Sequence, residues 1–232
     1  MPSLKYYGHS AFRIEDEKHT VFIDPFISGN PVCTSKLEDI RKCDYILLTH
    51  AHADHYGDTE ALAKKFDATV ICTWELAGWF QRRMVKAHPM STGGSFAFPF
   101  GRVKVTLAFH GVGGDPRPDG SVPPPNSPVG YLVHWGKNKV LYHAGDTALF
   151  DEMKLYGEQH EIDVACLPIG DNFTMGVEDA SKAAEFLKAK TCVPMHYNTF
   201  EIIKADPLNF AFHVEKQGAR CKVMSPGEKF AF

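Results

Sequence analysis

The sequence has no Cys-x-x-Cys pair, no apolar run of membrane-spanning length and no excess of basic charge. Its six cysteines are scattered over 232 residues, so we expect neither a disulfide framework nor a structural zinc finger. The longest apolar runs are strand-sized, far short of the ~20 residues that a membrane-spanning helix needs. The first residues also lack the apolar core of a signal peptide, which predicts a cytoplasmic protein without a membrane partner.

The charge balance favours a small-molecule substrate over a nucleic acid. Lys and Arg together number 25 and Asp and Glu 28, for a formal net charge of −3. A surface that binds nucleic acid normally carries a basic patch, and the sequence shows no basic stripe. The length predicts a single domain over residues 1–232 with one good core. The oligomeric state is left open, a homo-oligomer included.

Three histidines and one aspartate stand within six positions, just after an apolar run. Residues 45–48 predict a buried strand, and the segment His50-Ala51-His52-Ala53-Asp54-His55 follows. Imidazole and carboxylate groups are ligands of Zn²⁺, Mn²⁺ and Fe²⁺. Alternation would direct the first two histidines toward one ion and leave the aspartate and the third histidine for a second. Chance clustering is the plainer alternative, and we disfavour it because only 12 residues are histidine.

Three further segments place a candidate ligand just after an apolar run. These candidates are His110, Asp146 and His196. For the first, His88 and His134 are alternatives, and we prefer His110 because it stands at a strand end before a loop. The aspartate could instead cap a helix, and the last histidine could be a hydrogen-bonded loop residue. These three residues are candidate metal ligands only in combination with the histidine-rich segment.

The pattern His50-x-His52-x-Asp54-His55 is the signature of the metallo-β-lactamase-fold hydrolases, and the chain resembles that family. It is similar to a branch of metal-dependent hydrolases related to the L-ascorbate phosphate lactonases. This resemblance implies an α+β fold, a four-layered αββα sandwich, which the succession of strand and strand–helix patterns also favours. The other segments that carry the resemblance are Leu4–Phe12, His143–Thr147, Pro168–Gly176 and Pro194–Phe200.

The resemblance implies two metal sites that share one carboxylate. The first site would use His50, His52 and His110, the second would use Asp54, His55 and His196, and Asp146 would bridge both ions. A hydroxide held between the ions would attack a small ester, lactone or phosphoester, with Asp54 and Asp146 among the catalytic residues. Zn²⁺ is the first choice for the two divalent ions, and Mn²⁺, Fe²⁺ and Ni²⁺ stay open because such nitrogen and oxygen sites bind several metals.

Residues around the predicted ligands are expected to orient them or to contact the substrate. A metal-binding histidine normally donates its other N–H to a carboxylate or a carbonyl. Asp24, at a strand end, is the first candidate for this role and Asp58 the next. The resemblance also assigns His9 a proton-transfer or substrate-binding role, with a structural histidine as the alternative. Thr174 and Asn198 either bind a substrate oxygen or stabilise packing turns.

Residues 111–128 are rich in proline and glycine and cannot form a helix or a strand. Loops of this length within a compact domain are usually functional or disordered, and we interpret this one as a lid or a substrate-binding loop. Elsewhere, apolar periodicity predicts regular elements. Helices are expected at 35–41, 58–66, 75–85, 150–156, 177–189 and 207–217. Strands are expected at 4–7, 11–15, 20–24, 45–48, 69–72, 95–99, 103–109, 129–135, 139–143, 164–168, 191–194, 222–224 and 229–232.

Two other functions compete with the small-molecule hydrolase. An RNA-processing nuclease of the same fold should show a basic surface, an added nuclease domain or a protruding arm, and the sequence shows none of these. A non-catalytic protein that uses the fold as a metal-binding scaffold is the second alternative. The complete set of predicted ligands argues against the scaffold, although ligands alone do not establish turnover.

Overall fold

The computed structural model describes residues 1–232, which form two seven-stranded sheets and six α-helices. The strands are β1 (Ser3–Gly8), β2 (Ala11–Glu15), β3 (Thr20–Ile23), β4 (Tyr45–Leu47), β5 (Thr69–Thr73), β6 (Ala87–Met90), β7 (Ser95–Phe98), β8 (Gly101–Leu107), β9 (Val129–Trp135), β10 (Lys139–His143), β11 (Val164–Pro168), β12 (Thr191–Met195), β13 (Arg220–Cys221) and β14 (Lys229–Ala231). The helices are α1 (Ala53–Tyr56), α2 (Thr59–Phe66), α3 (Trp74–Arg82), α4 (Met153–Gln159), α5 (Val177–Leu187) and α6 (Pro207–Lys216). No helix is long and apolar enough to cross a membrane.

Each sheet has an antiparallel part and a parallel part. The first sheet has the order β14-β1-β2-β3-β4-β5-β6, antiparallel as far as β3 and parallel from there on. The second has the order β13-β12-β11-β10-β9-β8-β7, with parallel pairs from β10 to β13. Parallel strands need long connections, which the helices supply. Because these strands run in the same direction, their carboxyl ends lie along the same side of the sheet.

The side chains of β4 show how the sheets are packed. Leu47 belongs to a larger core of 42 buried residues that draws on both sheets. Its neighbours Ile46 and Leu48 belong to a smaller core of 20 residues, which includes buried side chains of α2 and α3. Alternation along a strand sends successive side chains to opposite faces. The first sheet is therefore covered by the second sheet on one face and by helices on the other, as the predicted αββα sandwich requires.

Helix α5 covers the outer face of the second sheet. Its fully buried aliphatic residues are Ala180, Ala183, Ala184 and Leu187. This spacing of three and four residues places them on one stripe of the helix. The strands beneath, β11 and β12, are buried along their whole length. Such strands read as continuous apolar runs because both of their faces are covered, which is why the sequence predicted them well.

Several predicted elements differ from the observed ones. Strand β6 and the short helix α1 were not predicted, and α4 begins three residues later than expected, at Met153. Strand β6 contains Pro89, and proline is tolerated there because the strand lies at the edge of its sheet. The predicted strand at 222–224 is wrong, since β13 ends at Cys221 and the chain turns through residues 225–228 toward β14. Residues 35–41 form only a 3₁₀ turn at Leu37–Asp39.

Candidate metal centre

The predicted ligands follow the ends of strands and meet at one place. His50 and His52 lie between β4 and α1, while Asp54 and His55 lie in α1 itself. The others follow β8, β10 and β12: His110, Asp146 and His196. Together with His9 they form three overlapping groups, in each of which the donor atoms lie within 4.8 Å of one another.

A glycine turn sets the position of Asp146. Gly145 has a φ of +64°, and a Cβ added to it would lie 2.5 Å from the carbonyl oxygen of Val129 and 3.3 Å from Thr49. Glycine adopts this left-handed conformation without steric cost. The chain can therefore leave β10, pass close to the segment that precedes the histidines and present the next carboxylate to them.

The first group contains three imidazole nitrogens. Nε2 of His50 lies 2.9 Å from Nδ1 of His52, and Nε2 of His110 lies 3.2 Å from the same atom. Ligands about 2.1 Å from a tetrahedral Zn²⁺ would be roughly 3.4 Å apart. These three nitrogens therefore converge at nearly the spacing of a metal site. His88 lies on β6 against Phe96 and Phe98, away from this group.

Asp146 lies between the first group and the second. Its Oδ2 is 3.6 Å from Nε2 of His110 and 2.9 Å from Nε2 of His196. Its Oδ1 is 3.2 Å from Nε2 of His55. The last predicted ligand, Asp54, has its Oδ2 4.0 Å from His196 Nε2. One carboxylate thus contacts histidines that belong to both predicted sites.

The buried atoms of this cluster that have no hydrogen-bond partner include two that lie 3.2 Å from each other. They are Nε2 of His55 and Oδ1 of Asp146, and both residues are almost fully buried. Buried polar atoms normally have a partner, because an unsatisfied one loses the hydrogen bonds it would make to water. A cation held between a ring nitrogen and a carboxylate would satisfy both atoms. The unsatisfied buried atoms and the set of nitrogen and oxygen donors both indicate that these residues can hold a metal ion.

Asp24 orients two of the histidines. Its Oδ2 accepts a hydrogen bond from Nδ1 of His55 at 2.7 Å and one from the Thr49 hydroxyl at 2.6 Å. That hydroxyl in turn lies 2.9 Å from Nδ1 of His50. Because the hydroxyl gives its hydrogen to Asp24, it accepts one from the ring. Both histidines then carry their proton on Nδ1 and leave Nε2 free for a metal.

His9 lies behind the second group of ligands. Its ring is fully buried, with Nε2 3.0 Å from Oδ2 of Asp54 and Nδ1 2.9 Å from the Thr199 hydroxyl. Its carbonyl accepts a hydrogen bond from the backbone N–H of His196 at 2.9 Å. Both histidines and Asp24 have φ between +44° and +59°. Such values are uncommon for residues other than glycine, and backbone strain of this kind clusters at functional sites.

The electrostatics of the cluster suit metal binding. Burial lowers the pKa of His50 well below its usual range. Burial alone would raise the pKa of Asp54, but the hydrogen bond from His9 and the charge of His55 hold it below its usual range. For His55 burial acts to lower the pKa, and the carboxylates of Asp146 and Asp24 outweigh it and raise the pKa well above its usual range. The carboxylates of Asp54 and Asp146 therefore remain ionised, and positive charge is favoured between them.

Three of the predicted residues lie elsewhere. The Asp58 carboxylate accepts hydrogen bonds from the backbone N–H groups of Ile27 and Ser28 rather than from a histidine, so its predicted orienting role is corrected. Thr174 donates its hydroxyl hydrogen to the Met175 carbonyl within its own turn. Asn198 accepts from the backbone N–H of Ala205. These side chains stabilise loops, and none of the three lines the cavity at the cluster.

That cavity has a volume of about 300 Å³ and opens over both groups of ligands. Its lining comprises His52, Asp54, His110, Asp115, Asp146, Phe173 and His196. Sequence reasoning did not single out Asp115, Phe173, Thr49 or Thr199. The available signals for Thr49 and Asp115 were a position directly before the histidines and a position in the predicted lid. Phe173 and Thr199 lie within two of the segments that carry the family resemblance.

Comparisons with known proteins agree with this geometry. A family profile described as the β-lactamase superfamily domain matches residues 19–197. A UPF0173 metal-dependent hydrolase of Anoxybacillus flavithermus is 52% identical over 225 residues, which are 97% of each chain. The chain belongs to this hydrolase family of the β-lactamase superfamily. A UPF0173 metal-dependent hydrolase of Bacillus thuringiensis is 51% identical over 226 residues, again 97% of each chain.

A solved structure supports the same assignment for this hydrolase. Igni18, a metallo hydrolase of the archaeon Ignicoccus hospitalis, superimposes with a TM-score of 0.87 at 36% identity, covering 100% of this chain and 99% of that one. The predicted family, the αββα fold and the class of hydrolase are thereby confirmed. The clustered histidines and aspartates are the part of the hydrolase capable of binding metal.

Proposed function

We propose that this hydrolase binds two divalent ions, Zn²⁺ first, and cleaves a small ester, lactone or phosphoester. The observation that carries the proposal is the position of Asp146, whose two oxygens contact His55, His110 and His196. A carboxylate in this position can ligate two ions at once. Five histidines and two aspartates form a nitrogen and oxygen donor set that suits Zn²⁺ and also accepts Mn²⁺, Fe²⁺ or Ni²⁺.

The chain's own residues would hold the ions in two sets. The first set is His50, His52 and His110, the second is Asp54, His55 and His196, and Asp146 is shared. Two bound ions would supply an activated water and polarise the carbonyl or phosphoryl oxygen of the substrate. No cysteine or serine nucleophile is needed, which agrees with Cys72, Cys166 and Cys192 of the two sheets being buried among apolar residues.

We assign His9 to the positioning of Asp54 instead of to the predicted proton-transfer or substrate-binding role. Its ring is fully buried and absent from the lining of the cavity, so it does not face a substrate. Its two ring nitrogens contact Asp54 and Thr199. Burial, and then the nearby His196, lower the pKa of His9 to about 4. A neutral ring with one proton can donate to the aspartate and fix the direction of its free oxygen.

The experiment that tests this function compares metal-free and metal-reconstituted protein on lactones, carboxylic esters, phosphodiesters and thioesters. We expect turnover that requires metal and that falls at least about 100-fold in His110→Ala, since the ligand is lost. His88→Ala is the matched control, because that histidine lies on β6 outside the cluster. Turnover that is insensitive to both chelation and His110→Ala would overturn the proposal. The expected cytoplasmic location stays a separate prediction, which cell fractionation tests.

A further inference from the structure

The cavity over the ligands has no Lys or Arg in its lining. Apart from the predicted ligands, its lining consists of Asp115 and Phe173. A site for a phosphate monoester normally supplies Arg, Lys or backbone N–H groups to the phosphate oxygens. Here the side chains beyond the ligands offer one negative charge and one aromatic ring. The non-ligand wall of the cavity is therefore unfavourable for an anion and favourable for an apolar group.

Asp115 is held in place from several directions. Its Oδ2 accepts a hydrogen bond from the backbone N–H of Ala53 at 2.7 Å. The guanidinium of Arg117 donates to the Asp115 carbonyl at 2.8 Å and to the Ala51 carbonyl at 3.1 Å. The same guanidinium lies 4.2 Å from the centre of the Tyr56 ring. These contacts attach the segment to residues 51–56, which include several predicted ligands. They hold the Asp115 carboxylate at the cavity.

The basic residues nearest to this wall are already engaged. Arg117 is committed to backbone carbonyls and to the face of Tyr56. Arg83 is paired with Glu60 and Asp119, each at 2.7 Å. Redirecting either guanidinium toward a substrate would break these contacts. Neither guanidinium is therefore free to donate hydrogen bonds to a substrate anion at this wall.

We propose that Asp115 and Phe173 select uncharged esters or lactones with an apolar substituent and reject phosphate monoesters. This inference rests on the proposed hydrolytic function and narrows its substrate class. A dianionic phosphate held at the ions would lie in the same cavity as the exposed Asp115 carboxylate, and the like charges would repel. An uncharged ester avoids this repulsion. Its apolar substituent can cover Phe173, whose side chain is 53% exposed, and bury apolar surface.

The first experiment measures selectivity with matched leaving groups. Zinc-reconstituted enzyme is assayed on p-nitrophenyl butyrate and p-nitrophenyl phosphate, and we expect kcat/KM to favour the butyrate at least about 100-fold. Asp115→Asn keeps an oxygen for the Ala53 N–H and removes the charge, so it should raise relative activity on the phosphate about tenfold. Asp119→Asn removes the same charge from the same loop outside the cavity and should leave the ratio unchanged. Equal ratios in all three proteins would overturn the role of Asp115.

The second experiment tests the aromatic wall. Phe173→Ala should lower kcat/KM about tenfold for a hexanoate ester and much less for an acetate ester, because only the longer chain reaches the ring. Phe212→Ala is the matched control, since that ring is 63% exposed on α6 and does not line the cavity. An equal loss on both esters would show that the ring supports the fold rather than the substrate.

A binding measurement separates failure of this inference from failure of the proposed function. Calorimetry of the zinc-loaded protein with phenyl phosphonate requires no turnover, and we expect Asp115→Asn to bind it about tenfold more tightly than the unaltered protein. If no ester is cleaved but this shift appears, the selection against anions stands and the hydrolytic proposal falls. If esters are cleaved and the affinity is unchanged, the hydrolytic proposal stands and the selection by Asp115 falls.

Discussion

At the scale of single residues, the site depends on the hydrogen bonds that leave Nε2 of two histidines free. Asp24 contacts His55 directly and reaches His50 through the Thr49 hydroxyl. The sequence indicated Asp24 because a carboxylate at a strand end can face the metal ligands. It ranked Asp24 before Asp58 but could not show that the Asp58 carboxylate binds the backbone instead, since that depends on which loop each carboxylate meets after folding. Thr49 was missed because a threonine in an apolar run usually only packs.

Asp24→Asn should weaken metal binding while leaving the ligands in place. Neighbours of this kind typically change metal affinity or activity 10–100-fold, and we expect a loss in that range. The measurement is competition for Zn²⁺ with a chromophoric chelator. Asp58→Asn is the control, because its carboxylate binds the backbone of Ile27 and Ser28 and no histidine. Equal affinities for the two variants would contradict the orienting role of Asp24.

His9 gives a second test at this scale. His9→Ala should lower kcat about 10–100-fold with little change in KM or zinc content, because the free oxygen of Asp54 loses its fixed direction. His9→Gln can still donate a hydrogen bond to Asp54 and should recover part of the loss. Loss of zinc in His9→Ala would instead make His9 a ligand. No recovery in His9→Gln would indicate that the imidazole itself is required.

At the scale of elements, long apolar strands and the amphipathic helix α5 were predictable, because continuous burial and a stripe spaced by three and four residues both leave a pattern. The one-turn helix α1 was not, since four residues cannot establish a period. Strand β6 contains a proline and lies at a sheet edge, so its pairing with β5 became visible only in the fold. The long loop at 111–128 was predicted from its composition and indeed contains no helix or strand.

The loop provides a prediction at this scale. Replacing residues 117–124 with a short Gly-Ser linker retains Asp115. It removes Arg117 and the exposed salt bridge between Asp119 and Arg83. We expect the thermal midpoint to fall by no more than about 4 °C, because the loop adds little to the core. We expect kcat/KM to fall at least about tenfold, since the wall of the cavity loses its attachment. Unchanged activity, or collapse of the fold, would contradict this account of the loop.

Asp163 provides a stability test remote from the metal site. Its carboxylate, only 7% exposed, accepts from the Val140 N–H and from Lys190, each at 2.9 Å. Burial acts to raise its pKa, but these hydrogen bonds hold it below the ordinary 3.8. The stabilisation is therefore complete above about pH 4 and lost as the pH falls through the folded-state value. Asp163→Asn should cost about 1 kcal/mol at pH 7.

Urea unfolding of metal-free protein at pH 7 and pH 3 checks the direction of this pH dependence of stability. With a chelator present in every sample, loss of metal at low pH does not contribute. The difference between Asp163→Asn and the unaltered chain should shrink at pH 3, because the Asp163 carboxyl, with an ordinary pKa of 3.8, is then largely protonated in the unfolded chain, whereas Asn is neutral at both pH values. A difference that grows as the pH falls would show that the carboxylate is not stabilised by these contacts.

At the scale of the whole molecule, the two sheets bring together segments that are far apart in sequence. The predicted ligands after β4, β8, β10 and β12 span residues 50–196 and meet within a few ångströms. The histidine-rich segment alone predicted a metal, and the family resemblance implied the full set. What sequence could not supply was the wall of the cavity, because Asp115 and Phe173 come from separate loops and carry no metal-binding pattern.

The proposed sharing of the Asp146 carboxylate between two metal sites is tested by the metal content per chain. Protein reconstituted with Zn²⁺ at neutral pH and freed of excess ion should hold close to two ions, measured by native mass spectrometry. Asp146→Ala should lose affinity at both sites together, because its oxygens contact histidines of each, while circular dichroism shows an intact fold. One ion or none in the unaltered protein, or no loss in Asp146→Ala, would contradict the dinuclear assignment.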